Sequence, residues 1–233
     1  MAANPICVAL DTPDLDHAVS LASALKPHAG FAKIGMEFFY AHGIAGYARV
    51  AETGLPIFLD LKLHDIPNTV ASAMKALMRI APRPAIVNLH ATGGYDMMKA
   101  AADAVAGQSK LIAVTILTSL SDDDIWQAGF ETAKNTEAHA RALAELAKRA
   151  GLDGVVCSPH DLVGIRHDMG RDFLTVVPGI RPADAATQDQ KRVAAPEAAL
   201  AAGADILVIG RAITGAPDPA KAAEHILGGL HAG

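Results

Sequence analysis

The chain has 233 residues, of which 51% are hydrophobic and 19% charged, which excludes a disordered chain and suits one ordered domain spanning 1–233. Its net charge is −5 without a basic block, which argues against binding to nucleic acid or an anionic membrane surface. No signal-like or membrane-spanning segment is evident, so we expect a cytoplasmic protein without a membrane partner. Cys7 and Cys157 lie in apolar runs and are predicted to be buried thiols.

Short apolar runs alternate with longer Ala- and Leu-rich stretches along the whole sequence. The short runs predict strands at 6–10, 31–35, 57–62, 85–90, 111–117, 154–157, 174–178 and 206–210. The longer stretches predict helices near 14–26, 38–53, 67–80, 94–106, 136–149, 159–168, 196–202 and 218–229. Helix-start signals agree with these bounds at Thr136, Pro159, Pro196 and Pro219.

Eight strands, each followed by a helix, predict an α/β fold in which a parallel sheet closes into a (β/α)8 TIM barrel. A doubly wound open sheet is the alternative, but no Gly-x-Gly-x-x-Gly fingerprint follows the first strand. The polar segment 181–192 lies between the seventh strand and its helix. It fits either a solvated surface loop or a mobile lid.

The segment 58–69, FLDLKLHDIPNT, places two carboxylates and one ammonium within six residues at the end of an apolar strand. Period-two alternation directs Phe58, Asp60 and Lys62 to the same face of that strand. Charges on a buried strand are costly unless they are paired or take part in chemistry. We therefore interpret Lys62, between the acids Asp60 and Asp65, as a catalytic group.

Polar residues also collect at the carboxyl ends of the other predicted strands, where barrel active sites lie. Seven strands contribute to this set, which comprises Asp11, Lys33, Asp60, Lys62, Asn88, His90, Thr118, Arg181 and Arg211. Coincident polar ends on so many strands favour an active site over isolated structural ion pairs.

Glycine and arginine follow the seventh and eighth strands, as Gly179-Ile-Arg181 and Gly210-Arg211. Glycine lets backbone N–H groups approach an anion, and arginine adds a charge-assisted contact to phosphate oxygens. Because barrels often bind phosphate after these two strands, the pattern predicts a phosphorylated substrate.

A metal centre is the competing use of Asp60, His64, Asp65 and His90, since carboxylates and imidazoles bind divalent cations. The ammonium of Lys62 already supplies a compensating positive charge, so we predict no metal. His64 falls on the opposite face from Asp60 and is expected to support the site or pack. His90 fits a site-lining role and a structural role equally well.

The motif DLKLHDIPNT at 60–69 resembles the Asp-x-Lys-x-x-Asp signature of the orotidine 5′-phosphate decarboxylase family in its bacterial form. The likeness extends through VALD at 8–11, KIG at 33–35, VNLHATGG at 87–94, AVTILTS at 113–119, DGVVCS at 153–158, PGIR at 178–181 and VIGR at 208–211. It implies a cofactor-free homodimeric barrel that converts orotidine monophosphate to uridine monophosphate and carbon dioxide in pyrimidine synthesis.

The resemblance also implies roles at the reacting end of the substrate. Lys33, Asp60, Lys62 and Asp65 would form a charge network, with Asp65 supplied by the other subunit. Ile66 and Thr69 would reach the neighbouring subunit's site together with Asp65.

The remaining roles implied by the resemblance concern the rest of the nucleotide. Asp11 and Lys33 would hold ribose hydroxyls, and Thr118 would contact the pyrimidine. The phosphate would bind Arg181, Gln190, Gly210 and Arg211, with the segment 181–192 closing over it.

Decarboxylation of a ring carbon leaves a basic carbanion, and the sequence suggests no cofactor that would delocalise it. The ammonium of Lys62 could stabilise the developing charge and then deliver the proton, with Asp60 beside the substrate carboxylate. Two alternatives stay open: a related metal-dependent phosphosugar barrel, such as a hexulose-phosphate synthase or a ketogulonate-phosphate decarboxylase, and a catalytically silent barrel that only binds nucleotides.

Overall fold

The structure, a computed structural model, describes residues 4–181 and 194–231. Eight parallel strands pair in chain order and close into a barrel, which confirms the predicted (β/α)8 fold. The strands are β1 Ile6–Ala9, β2 Phe31–Gly35, β3 Ile57–Leu63, β4 Ile86–His90, β5 Lys110–Val114, β6 Gly154–Val156, β7 Leu174–Val177 and β8 Ile206–Ile209. Pairing of β8 with β1 completes the closure.

The helices surround this barrel and include every helix that the sequence predicted. They are α1 Leu15–Leu25, α2 Met36–Ala51, α3 Pro67–Leu77, α4 Gly94–Val105, α5 Asp122–Gln127, α6 Thr136–Arg149, α7 Leu162–Met169, α8 Pro196–Ala201, α9 Arg211–Thr214 and α10 Pro219–His231. The sequence did not predict α5, α9 or a 3-10 turn at Ala91–Gly93. Helix α2 is broken at Gly43, whose φ of 60° lies in the left-handed region that glycine tolerates.

The helix predicted at 136–149 begins at Thr136 as predicted, but its capping residue differs, and the helix predicted from 159 begins three residues later. Asn135, and not Thr136, caps α6, because the Asn135 side chain accepts a hydrogen bond from the backbone N–H of Ala138. Pro159 lies in the loop before α7, which begins at Leu162. The prolines that begin α8 and α10 occupy the first helical position, as predicted.

The fifth strand ends earlier than predicted, at Val114 and not at residue 117. The apolar Ile116 leaves the sheet and packs with Ile125 and Ala140 in a small cluster beneath the loop after β5. Helix α5 supplies Ile125 to this cluster. The prediction failed because an apolar residue looks the same in sequence whether it packs in a barrel strand or under a loop.

The core has two layers. The main layer lies between the strands and the surrounding helices, and a second group of side chains fills the barrel interior. Phe58 is 1% exposed in this interior, and burial of a side chain of its size stabilises the fold by about 1.5–3 kcal/mol. Both Cys7 and Cys157 are buried thiols, as predicted. Within the described residues, no helix is long and apolar enough to cross a membrane.

Candidate active site

A cavity of about 680 Å³ opens where the carboxyl ends of the strands meet, a size that suits a small-molecule ligand. Its lining includes most of the site residues predicted from the sequence: Asp11, Lys33, Asp60, Lys62, Thr118, Arg181, Gly210 and Arg211. Residues at or just beyond the carboxyl ends of the strands therefore meet at one end of the barrel, as predicted. Gln190 and the remainder of the proposed lid after Arg181 lie outside the described residues.

Four of these side chains form a row of alternating charge across β1, β2 and β3. Lys33 Nζ lies 3.0 Å from Asp11 Oδ1 and 3.4 Å from Asp60 Oδ2. Lys62 Nζ lies 2.7 Å from Asp60 Oδ1. The side chains of Lys33 and Asp60 are only 11% and 9% exposed, whereas that of Asp11 is 59% exposed. Asp60 is thus held between two ammonium groups in the buried middle of the row.

The row keeps its charges because each buried group faces an opposite charge. Burial raises the pKa of the Asp60 carboxyl, but the nearby Lys33 and Lys62 ammonium groups outweigh burial and lower that pKa below its ordinary value. Burial lowers the pKa of Lys33, but the carboxylates of Asp60 and Asp11 outweigh it and raise that pKa. Both groups are therefore ionised at neutral pH.

Lys62 reaches the cavity from an irregular strand, and not from the regular alternation that the sequence predicted. Strand β3 pairs with β4 at Leu59↔Val87 and next at Leu63↔Leu89, so four steps along β3 match two along β4. Lys62 lies in this bulge with φ 52°, a left-handed conformation that is uncommon outside glycine. The bulge keeps Lys62 beside Asp60.

Asn88 on β4 is a site residue whose role the sequence did not reveal. It is 1% exposed, its Nδ2 donates to Asp60 Oδ1 at 2.6 Å, and its Oδ1 accepts the backbone N–H of Lys62 at 2.8 Å. The sequence offered one indication of this role, an asparagine within an apolar strand, since a buried amide requires hydrogen-bond partners.

Asp65 does not join the charge row of its own chain. Its carboxylate is exposed and accepts the backbone N–H of Ile66 at 2.7 Å. Ile66 is 67% exposed, and Thr69 is also exposed. Asp65, Ile66 and Thr69 therefore do not line the cavity of their own chain, and their expected place at a neighbouring subunit's site stays a prediction.

The arginine end of the cavity is built by the turns after β7 and β8. Gly179 has φ 77°, which glycine tolerates and other residues rarely adopt. The Arg181 backbone N–H donates to Ala194 O at 3.0 Å, and the Ala194 N–H donates to Gly179 O at 3.2 Å. These bonds join the backbone at Gly179 and Arg181 to that at Ala194. Gly210 precedes α9, and Arg211 begins it.

The two histidines near the motif do not line the cavity. The ring centroids of His64 and His90 lie 5.5 Å apart. Burial lowers the pKa of His90, and the positive charges of His64 and Lys62 lower it further. Within 4–181 and 194–231, no group of three or more His, Cys, Asp or Glu side chains is arranged to hold a metal ion. The positive charges next to Asp60 come from Lys33 and Lys62.

Comparisons with known proteins show which family the chain resembles. Residues 4–226 match the model of the "Orotidine 5'-phosphate decarboxylase / HUMPS family". A relative named orotidine 5′-phosphate decarboxylase, from Novosphingobium aromaticivorans, is 52% identical over 96% of this chain and 97% of its own length. The protein of that name from Rhodospirillum rubrum is 49% identical over 98% and 94%. The crystal structure of the Lactobacillus acidophilus enzyme has a TM-score of 0.84 and 38% identity, covering 97% of this chain and 99% of the other.

Proposed function

The chain belongs to the orotidine 5′-phosphate decarboxylase / HUMPS family, and from this we propose that it is a carboxy-lyase that converts orotidine 5′-monophosphate to uridine 5′-monophosphate and carbon dioxide in pyrimidine synthesis. The observation that carries the proposal is the ion pair of Lys62 with Asp60 inside the barrel cavity, 2.7 Å apart. A site of this kind stabilises negative charge on a substrate atom without a bound cofactor. On the same basis, we propose that the enzyme acts in the cytoplasm.

The nucleotide is proposed to lie across the cavity with its phosphate at the arginine end. Arg181 and Arg211 would bind phosphate oxygens, because guanidinium groups form charge-assisted contacts with phosphate. The backbone of Gly210 would support the same group, as would Gln190, which lies outside the described residues. Thr118 would contact the pyrimidine edge.

The ribose and the reacting carbon would then lie along the row of alternating charge. Asp11 and Lys33 would hold ribose hydroxyls, and the pyrimidine would face Lys62 and Asp60. The bond from the ring carbon to the carboxylate breaks, carbon dioxide leaves, and the electron pair stays on the ring carbon. Lys62 stabilises that pair and donates the proton that forms the new C–H bond. Asp60 holds the ammonium group in place throughout.

A second copy of the chain would complete each site. Asp65, Ile66 and Thr69 are exposed on one chain, and exposure of the large apolar Ile66 is compatible with burial against a partner. We place the three residues at the cavity of the neighbouring subunit in a homodimer. Asp65 would then supply the second carboxylate beside that subunit's Lys62.

The function is tested by following orotidine monophosphate spectrophotometrically with and without EDTA. We expect the purified protein to produce uridine monophosphate at the same rate in both conditions, because Lys62 and Lys33 provide the positive charge. A metal-dependent phosphosugar enzyme of the same family would not convert orotidine monophosphate, and EDTA would abolish its own reaction. No turnover of orotidine monophosphate would refute the proposed function.

The shared site is tested by mixing two inactive variants, Lys62→Ala and Asp65→Ala. Each homodimer lacks one required group in both sites, whereas the heterodimer has one intact site. Random exchange makes half of the dimers mixed, so an equimolar mixture should recover about a quarter of the wild-type activity. Failure to recover activity, after mass spectrometry has confirmed subunit exchange, would contradict the sharing of Asp65.

A further inference from the structure

The side chain of Asn88 forms hydrogen bonds to both Asp60 and Lys62, the two members of the ion pair proposed to act on the substrate. Its amide donates to the carboxylate of Asp60 and accepts from the backbone of Lys62, at 2.6 and 2.8 Å. Asn88 is 1% exposed and does not line the cavity. It therefore touches the groups proposed to act on the substrate without reaching the substrate itself.

The backbone contact explains how Lys62 keeps its unusual conformation. Residues other than glycine rarely adopt the left-handed φ found at Lys62, and contacts with neighbouring residues have to hold the backbone in that conformation. At the bulge, the N–H of Lys62 bonds to the Asn88 side chain across the point where the register of β3 and β4 shifts. Asn88 thus satisfies the one backbone donor of Lys62 and fixes the direction in which that residue leaves the strand.

The contact of Asn88 with the carboxylate of Asp60 fixes the orientation of that carboxylate. Asp60 Oδ1 accepts from both Asn88 Nδ2 and Lys62 Nζ, while Oδ2 faces Lys33. These contacts on both oxygens define one orientation of the Asp60 carboxylate. An amide suits this position because it offers a donor and an acceptor on one planar group, whereas a carboxylate would repel Asp60 and an alkyl chain would leave both partners unsatisfied.

We propose that Asn88 is a positioning residue for the decarboxylation, holding the ammonium of Lys62 and the carboxylate of Asp60 in the geometry of reaction. The inference rests on the proposed function for its catalytic consequence. Its structural part, the dependence of the Lys62 conformation on Asn88, stands on the hydrogen bonds alone.

The test uses Asn88→Ala and, because a cavity could impair folding, also Asn88→Ser, which is smaller than asparagine and cannot span both partners. We expect kcat to fall on the order of 10²-fold, since small displacements of reacting groups have effects of this size. Affinity for uridine monophosphate, measured by calorimetry, should stay within about threefold of wild type, because phosphate contacts dominate product binding.

The matched control is Thr175→Val on β7. Thr175 is fully buried, bonds to Asp205 and Arg166, and does not line the cavity. Its loss should lower Tm through broken buried hydrogen bonds but leave kcat unchanged. Comparison with this variant separates a specific effect on the reacting pair from general destabilisation.

Either of two kinetic results would overturn the inference: a kcat within threefold of wild type in a folded Asn88 variant, or parallel losses of kcat and uridine monophosphate affinity. If the wild-type protein does not convert orotidine monophosphate, the proposed function fails and crystal structures of the two variants decide the structural part. The inference expects Lys62 to leave the left-handed region. A Lys62 with unchanged φ, still bonded to Asp60 at about 3 Å, would refute it.

Discussion

Replacement of Asp60 by asparagine tests the charge row most directly, because it removes one negative charge and almost no volume. Lys33 and Lys62 would then face each other without the anion that separates them. Loss of one partner from a buried ion pair costs roughly 3–5 kcal/mol. Lys62 is 26% exposed and Asp11 still pairs with Lys33, so we expect the low end of this range, about 3 kcal/mol of unfolding free energy at pH 7.

The pH dependence of that loss follows from the directions of the two pKa shifts. The pKa of Asp60 is lowered in the folded state, so its stabilisation is present above the unfolded value of about 3.9 and disappears as pH falls through the folded pKa. The pKa of Lys33 is raised, so its stabilisation is present below about 10.4 and disappears as pH rises through the folded pKa. The difference between wild type and Asp60→Asn should therefore be constant at neutral pH and shrink below about pH 4.

Urea unfolding of wild type and Asp60→Asn at equal protein concentration measures this difference. The control is Asp103→Asn, which breaks an exposed ion pair with Lys99 within α4 and should cost no more than about 0.5 kcal/mol. Equal stability of wild type and Asp60→Asn at pH 7 would refute the reasoning. A difference that grows in acid would refute it too, because the ionised carboxylate could not then be its source.

Two glycine substitutions test close approaches that the sequence did not reveal. A Cβ on Gly154 would clash with the backbone oxygen of Leu174, so Gly154→Ala forces β6 and β7 apart and should cost about 3 kcal/mol in urea unfolding. A loss below about 0.5 kcal/mol would contradict this contact. A Cβ on Gly35 would lie 3.2 Å from Lys33 Nζ and 3.3 Å from Asp11 Oδ1, so Gly35→Ala should lower kcat/KM about 10-fold with little change in Tm. An unchanged kcat/KM would contradict this prediction, because the pair of Lys33 and Asp11 would then move without any effect on the reaction.

The barrel was predictable because its signals are local and repeated. Strands buried on both faces appear as short apolar runs, and helices show a longer period, so the order of elements follows without tertiary information. The convergence of Asp11, Lys33, Asp60 and Arg211 then follows from topology, since parallel strands in a barrel all end at the same face.

The bulge at Lys62 was not predictable in the same way. Uninterrupted alternation from Phe58 to Lys62 indicates a regular strand, and nothing in those residues reveals a left-handed φ. At this bulge the backbone N–H of Lys62 donates to Asn88 Oδ1, and Asn88 is 26 residues away in sequence. Strand periodicity describes one chain segment, whereas the bulge is a property of the pair β3 and β4.

The position of Asp65 shows a second limit of motif reading. Asp60, Lys62 and Asp65 lie within six residues of one another, yet the chain turns after β3 and leaves Asp65 exposed, with its carboxylate accepting the backbone N–H of Ile66. A motif of three charges therefore contributes two of them to its own cavity. The third is exposed on its own chain, and its role in a neighbouring site stays a prediction.

The central claim is that the ammonium of Lys62 stabilises and protonates the carbanion, and the measurement that tests it is single-turnover decarboxylation by Lys62→Ala in the presence of EDTA. Uridine monophosphate binding by the same variant serves as the control for a correctly formed site. We predict that the rate falls by at least 10²–10³-fold, on the order of the loss of one preorganised electrostatic group, while the product still binds. A folded, product-binding Lys62→Ala enzyme with nearly the wild-type rate would contradict the claim.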